Sequence, residues 1–211
     1  MSSDSKALHI AVAGNIGAGK TTLAGLLAKQ FNWEPHYEGV DDNPYLDDFY
    51  NEMQRWAFNL QIYFLRSRLN TVKTIRESGQ NVIQDRTIYE DAHIFAPNLH
   101  AMGLMTSRDY DNYRAIFDLM ESFVDAPDLL IYLRASVPKL VERIQQRGRD
   151  YENNIRLDYL NRLNERYEAW ISQYNKGKLL IIEVDQLDFE QNQEDLGTVV
   201  SKINAEINGL F

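Results

Sequence analysis

The chain has 211 residues, 44% of them hydrophobic, which is enough for one sizeable core and too few for two ordinary domains, so a single domain over residues 1–211 is expected. Twenty-two basic residues against 31 acidic ones leave a formal net charge of −9, a surface that repels a polyphosphate backbone and argues against nucleic acid as a partner. The absence of cysteine rules out a disulfide framework and thiolate metal sites and favours a cytoplasmic address.

The segment Met1 to Lys6 lacks the basic-then-apolar pattern of an export signal and is expected to lie outside the ordered fold. No apolar run approaches the roughly 20 residues of a membrane span, so no membrane association is expected. The first β-rich run is Leu8 to Ala13, followed at once by Gly14-Asn15-Ile16-Gly17-Ala18-Gly19-Lys20-Thr21 and a helix beginning near Lys20. A second short run, His36-Tyr37, ends at Glu38. From Asp48 to Ser78 there is neither proline nor glycine, and Trp56, Leu60 and Phe64 recur at helical spacing, which predicts one long helix stopped by Gly79. The third run, Val82-Ile83, is closed by Asp85-Arg86. A helix from Arg108-Asp109 through Tyr113, Ile116, Phe117 and Met120 stops before Pro127, and it is a candidate antiparallel partner for the long helix. The fourth and fifth runs, Leu129 to Leu133 and Leu179 to Val184, are almost continuously apolar, as expected of strands covered by helices on both faces. A closing helix is predicted over approximately Asp195 to Ile207. Strands alternating with helices give an α/β fold built on a five-stranded parallel sheet flanked by helices.

Gly14 to Thr21 matches G-x-x-x-x-G-K-S/T between a strand and a helix, the context the motif requires. Its glycines let consecutive backbone N–H groups and the positive end of the helix wrap phosphate oxygens. Lys20, read as an exposed loop lysine, is expected at the β- and γ-phosphates of ATP, with Thr21 on Mg²⁺. Gly14, Asn15, Ile16, Gly17, Ala18, Gly19 and Thr22, with Arg143, Arg147 and Arg149 further along the chain, complete the expected ATP-binding set. GTPases share the loop, but the nearest string to their base-reading motif, Asn175-Lys176-Gly177-Lys178, lacks its aspartate.

In open parallel sheets, ligands bind beyond the carboxyl ends of the strands. Glu38 at such an end can orient an attacking hydroxyl and take its proton, although a lone acid there is more often solvated or capping. Asp85 can hold Mg²⁺ or its water and Arg86 can neutralise phosphoryl oxygens, the alternative being a surface ion pair. Arg143 and Arg147 lie four apart on one helix face and Arg149 follows Gly148, which suggests an arginine-rich lid over residues 143–153. For any single arginine a solvated helix face is the alternative.

With these motifs in this order, the chain resembles the deoxynucleoside kinases, closest to their bacterial deoxyadenosine/deoxyguanosine branch. The resemblance is carried by the Gly14 to Thr22 loop, Glu38, the string Asn59-Leu60-Gln61-Ile62-Tyr63-Phe64-Leu65-Arg66-Ser67-Arg68, the string Asp85-Arg86-Thr87-Ile88-Tyr89-Glu90-Asp91, and the lid through Glu152. It implies the P-loop kinase fold and a homodimer built from the long helices. It also implies that Glu38 is the base at the 5′-hydroxyl, Asp85 assists Mg²⁺ and Arg86 sits between hydroxyl and phosphate. Tyr50 and Glu152 would hold the 3′-hydroxyl, Gln61, Arg68 and Asp91 would address the base edge, and Phe95 would stack on the base. Gln61 and Arg68, seven apart, share a helix face, as do Asp91 and Phe95, four apart. Some positions depart from the family pattern: Gly39 stands where many members have proline, Asp85 and Thr87 where many animal members have glutamate and serine, and Tyr151 within what is often an acidic pair.

The expected activity is ATP-dependent 5′-phosphorylation of a purine deoxyribonucleoside, deoxyadenosine foremost. A nucleoside monophosphate kinase shares the loop, but Glu38 at the acceptor would repel that substrate's phosphate. A non-catalytic nucleotide-sensing module is disfavoured by the complete set Lys20, Glu38, Asp85 and Arg86.

Overall fold

The computed structural model describes residues 7–39 and 42–209, so the expectation for residues 1–6 lies outside the described residues. In chain order the elements begin β1 (His9–Gly14), α1 (Lys20–Phe31), β2 (Glu34–His36), α2 (Leu46–Asn51), α3 (Met53–Ser78) and β3 (Val82–Asp85). They continue with α4 (Ile88–Glu90), a π-helical turn (Asp91–Phe95), α5 (Ala96–Ala101), α6 (Ser107–Glu121) and β4 (Leu129–Arg134). The last are α7 (Val137–Arg147), a 3₁₀ turn (Asp150–Asn154), α8 (Leu157–Ser172), β5 (Lys178–Glu183) and α9 (Gln193–Asn208). All five strands are parallel, in the order β2-β3-β1-β4-β5. The order reverses direction around β1, which makes its carboxyl end the switch point where a ligand crevice opens.

Side-chain alternation in the central strands divides the core into two layers. Ile10 and Val12 of β1 and Ile131 and Leu133 of β4 pack with Leu23 and Leu27 of α1 and Val199 and Ile203 of α9. Ala11 and Ala13, with Leu130 and Tyr132, face the other way onto Leu60 and Phe64 of α3 and Leu163 and Tyr167 of α8. All of these but Phe64, itself 8% exposed, are at most 2% exposed, and burying each large apolar side chain contributes about 1.5–3 kcal/mol.

Three expectations need correction. The stretch read as one helix from Asp48 to Ser78 is broken at Glu52, where φ is −141° and ψ is 71°. In a continuous helix Phe49 would lie roughly 16 Å along the axis from Leu60. The break instead folds α2 back, so that Leu46 and Phe49 reach the same core as Leu60 and Phe64. The helix does end at Gly79, in the left-handed conformation with φ 61°. Secondly, α3 and α6 pack together, but as a parallel pair. Arg76 near the end of α3 donates to the carbonyl of Phe123, just past the end of α6, and pairs with Asp125. The topology requires this, because each helix returns the chain to the start of a strand in an all-parallel sheet. Thirdly, the second strand is Glu34–His36; Tyr37 has already left the ladder and is half exposed.

Candidate active site

The loop after β1 is braced from several sides before any ligand is considered. Asn15 Oδ1 accepts from the Ile16 N–H at 2.8 Å, and Asn15 Nδ2 donates to Leu160 O and Asn164 Oδ1 of α8 at 3.2 and 3.1 Å. Gly17 has φ +84° and Gly19 φ +94°, conformations that L side chains rarely adopt. A Cβ on Gly17 would also meet the Leu140 carbonyl oxygen at 2.8 Å, so this turn has room only for glycine. Lys20, expected to be exposed, is only 6% exposed, and its Nζ donates to the Asn15 carbonyl at 3.1 Å. Burial, and then Arg86, lower its pKa to about 8 against the pull of Asp85, Glu38 and Glu90.

Register delivers the remaining groups. Val12 lies opposite Asp85, and the Arg86 N–H continues the ladder to the Val12 carbonyl at 3.0 Å. Thr21 Oγ1 donates to Asp85 Oδ2 at 2.5 Å, while Asp85 Oδ1 is buried with no hydrogen-bond partner. Burial raises the Asp85 pKa despite the neighbouring Lys20. An orphaned carboxylate oxygen beside a threonine hydroxyl at a phosphate loop is a donor set that suits a hard divalent cation such as Mg²⁺.

Glu38 is the hub of the charged cluster next to the loop. Its Oε1 accepts from Arg68 Nη2 at 2.5 Å and its Oε2 from Arg86 Nε at 3.2 Å. Burial alone would raise its pKa, but Arg86, Arg68 and Lys20 together pull it down to about 2. Arg86 is the one long side chain among the described residues in the left-handed region, with φ 67°. Its Nη1 donates to Tyr167 Oη at 3.1 Å, and its guanidinium lies 4.5 Å over the Phe95 ring. Arg68 Nε donates to Asp91 Oδ2 at 3.2 Å. Burial outweighs Arg68 and Arg86 at Asp91 and raises its pKa to about 6.

A cavity of about 320 Å³ runs across these groups. One end is lined by Gly17, Lys20 and Thr21, the middle by Glu38 and Arg86, and the far end by Gln61, Asp91 and Phe95. Tyr50 and Glu152 line it too, with Arg147 and Arg149 at the same wall. The π-helical turn brings Asp91 and Phe95 to the cavity together, and Pro97, which has no N–H to return to the carbonyl four residues back, loosens the helical ladder there. Gln61 is 2% exposed and its Oε1 is an acceptor with no partner.

The structure separates some residues that the sequence grouped. Arg68 does not line the cavity; it stands behind it, joining Glu38 to Asp91. Ile16 lines the cavity together with Gly17, Lys20 and Thr21 of the same loop. Arg143 is tied to backbone: its Nη1 donates to Ala18 O at 2.9 Å, and its Nη2 to Val184 O and Leu187 O at 3.3 and 3.0 Å. With Gly19, Thr22 and Phe189 it lines a second cavity, of about 520 Å³, on the outer side of the loop, while Arg147 lines both cavities. Arg147 Nη2 donates to Glu152 Oε1 at 2.5 Å and Arg149 lies 3.8 Å from the same oxygen. Tyr151, read only as an interruption, stacks on Tyr50 with ring centroids 5.7 Å apart. Sequence reading missed Tyr167 and Glu90, both fully buried beside Arg86. It also missed the second cavity, which is assembled from segments far apart in the chain.

A phosphate loop and a buried carboxylate–arginine pair sharing one cavity at the carboxyl ends of a parallel sheet define a P-loop phosphotransferase. Residues 10–208 match the family Deoxynucleoside kinase. The chain is 40% identical over 202 residues to the deoxyadenosine/deoxycytidine kinase of Bacillus subtilis (strain 168), covering 94% of this chain and 93% of that protein. It is 43% identical over 168 residues to the deoxyadenosine kinase of Dictyostelium discoideum, covering 80% and 68%. The structure of deoxyadenosine kinase from M. mycoides with bound dATP superposes with a TM-score of 0.84 at 30% identity, covering 93% of this chain and all of that one. The chain belongs to the deoxynucleoside kinase family and is a deoxynucleoside kinase.

Proposed function

We propose that this enzyme transfers the γ-phosphate of ATP to the 5′-hydroxyl of a purine deoxyribonucleoside, deoxyadenosine foremost, in deoxynucleotide salvage. The observation that carries the reading is the continuity of one cavity from Lys20 and Thr21, past Glu38 and Arg86, to Gln61 and Asp91. A nucleoside lying along it has its 5′-hydroxyl at Glu38 and its base at Gln61. Glu38, ionised at every working pH, orients that hydroxyl and accepts its proton as transfer proceeds. A carboxylate with a pKa of about 2 is a weak base, which suits a loose transition state in which the proton leaves late. Arg86 and Lys20 neutralise the transferring phosphoryl oxygens. Mg²⁺, held by Thr21 and Asp85, would supply further charge neutralisation at the β- and γ-phosphates.

At the far end, the unpartnered Gln61 Oε1 accepts from the adenine amino group while Nε2 donates to the neighbouring ring nitrogen. Asp91, fixed by Arg68, adds an acceptor for an exocyclic amino group and repels a thymine carbonyl. The same amide geometry accommodates cytosine, and the Bacillus subtilis relative is a deoxyadenosine/deoxycytidine kinase, so deoxycytidine is a second substrate to test. Phe95 stacks on the base, and Tyr50 and Glu152 take the 3′-hydroxyl. Glu152 in that role exchanges its bonds to Arg147 and Arg149, freeing both arginines to close over the donor phosphates as a lid. The loop from Gly14 to Thr22 cradles those phosphates, and the cavity beside Arg143 and Phe189 receives the donor base. The strongly exposed Leu119 on α6 and Phe123 just past its end support a homodimer. A cytoplasmic location is consistent with the lack of cysteine and with ATP as donor.

The reading is tested by incubating the enzyme with ATP, Mg²⁺ and deoxyadenosine and resolving nucleotides by chromatography. Equimolar ADP and deoxyadenosine 5′-monophosphate are expected; ADP without a phosphorylated nucleoside would overturn it.

A further inference from the structure

Glu90 is completely buried, and no part of the proposed chemistry uses it. It nonetheless collects four hydrogen-bond donors. Oε1 accepts from the Gly14 N–H at 3.3 Å and from Tyr167 Oη–H at 2.9 Å. Oε2 accepts from the Thr87 N–H at 2.8 Å and from Thr87 Oγ1–H at 3.4 Å. Oε1 also lies 3.9 Å from Arg86 Nη1. Four converging donors fill the acceptor capacity of a carboxylate, and an amide of the same shape would turn an NH₂ toward two of them.

These bonds surround one strained residue. Arg86 occupies the left-handed region at φ 67°, which strains a long side chain and persists only where its surroundings enforce it. On the N-terminal side, its N–H is fixed to Val12 by the sheet ladder. On the C-terminal side, the peptide joining it to Thr87 is fixed by Glu90. Its guanidinium is fixed through Tyr167, which accepts from Arg86 Nη1 and donates to Glu90. The same carboxylate holds Gly14, the residue at which β1 becomes the phosphate loop. A capping box alone, in which Glu90 serves Thr87, explains one carboxylate oxygen and leaves the other unexplained.

We infer that Glu90 is a positioning residue that holds Arg86 in register with the phosphate loop, acting on transfer through Arg86 and not through substrate contact. The inference rests on the reading of Arg86 as the group that neutralises the transferring phosphoryl. In Glu90→Gln, one of the two backbone N–H groups, of Gly14 or of Thr87, loses its acceptor and the arginine turn loosens.

The test is a double-mutant cycle of kcat over wild type, Glu90→Gln, Arg86→Ala and the double variant, with folding checked by circular dichroism. Since a misplacement of about 1 Å can cost 100-fold, Glu90→Gln is expected to lower kcat on the order of 100-fold, with KM for deoxyadenosine within about threefold. In the Arg86→Ala background the same substitution is expected to cost less than about tenfold, because the residue it positions is gone. Equal losses in both backgrounds, or a Glu90→Gln kcat within about threefold of wild type, would overturn the inference while leaving the reading of Arg86 intact. An Arg86→Ala enzyme with near-normal kcat would overturn that reading and the inference with it. If Glu90→Gln does not fold, Tyr167→Phe takes its place in the cycle, since it deletes only the hydroxyl joining Arg86 to Glu90, and equal loss in both backgrounds again overturns the inference.

Discussion

Replacing Glu38 by glutamine separates its chemical role from its structural one. Glu38 accepts from Arg68 at 2.5 Å and from Arg86 at 3.2 Å, and its side chain is 16% exposed. Glutamine keeps the shape and one acceptor oxygen but turns an NH₂ toward one of the two guanidinium groups. Hydrogen bonds to charged groups contribute about 1.5–3 kcal/mol, so losing one of the two is expected to destabilise the fold by about 2 kcal/mol and lower Tm by roughly 4–8 °C. Both arginines keep other partners, Asp91 for Arg68 and Tyr167 for Arg86, so the fold survives. The effect on turnover is larger: loss of a positioned base costs about 10²–10⁴-fold in kcat. The deoxyadenosine KM is expected to change little, because Gln61 and Asp91 are untouched. Arg86 and Arg68 keep Glu38 ionised down to about pH 2 against the effect of burial, so the kcat deficit is expected to be constant between the pKa of Asp91, at about 6, and that of Lys20, at about 8. Steady-state assays at several pH values, with thermal unfolding in parallel, measure all of this. A kcat within about threefold of wild type would refute the role of Glu38.

Three further outcomes follow from the same geometry. Lys20→Ala is expected to lower kcat/KM for ATP on the order of 10³-fold while Tm holds or rises, because it removes a cation whose pKa burial has already lowered; a near-normal kcat/KM would contradict it. Gly17→Ala places a Cβ 2.8 Å from Leu140 O at φ +84°, so a loss of about 1–3 kcal/mol and a raised KM for ATP are expected by thermal unfolding and kinetics; wild-type values would contradict the tight loop. Burial raises Asp91 from 3.8 to about 6, so its ionised form, the acceptor for the base amino group, is lost as pH falls through 6. The kcat/KM for deoxyadenosine should then drop about tenfold per pH unit below 6, and Asp91→Asn should abolish that limb; a profile flat to pH 5 would contradict it.

The fold was largely legible because its signals are local. The apolar runs at Leu129 to Leu133 and Leu179 to Val184 and the glycine-rich loop each report on a few consecutive residues. The break at Glu52 was not legible, since no glycine or proline marks it; it is imposed by the distant core that draws Leu46 and Phe49 inward. The parallel course of α3 and α6 is not legible in either helix alone, because the direction of the strands dictates it. Within the candidate site, Glu38, Asp85 and Arg86 could be found from their places after strand runs. A shared helix face says nothing of the carbonyls of Ala18, Val184 and Leu187 that hold the Arg143 guanidinium. Tyr167 carries no motif and Glu90 stands in the Asp85 to Asp91 string without a role of its own; their part emerges only when segments 77 residues apart meet around Arg86.

The central claim, a kinase whose cavity is read at its far end by Gln61 and Asp91, is tested most directly by kcat/KM for deoxyadenosine, deoxyguanosine, deoxycytidine and thymidine with ATP as donor. The account predicts deoxyadenosine highest and thymidine lowest, since only thymidine sets a carbonyl against the Asp91 carboxylate without an amino group for Gln61 to accept from. Thymidine as the best substrate would contradict it.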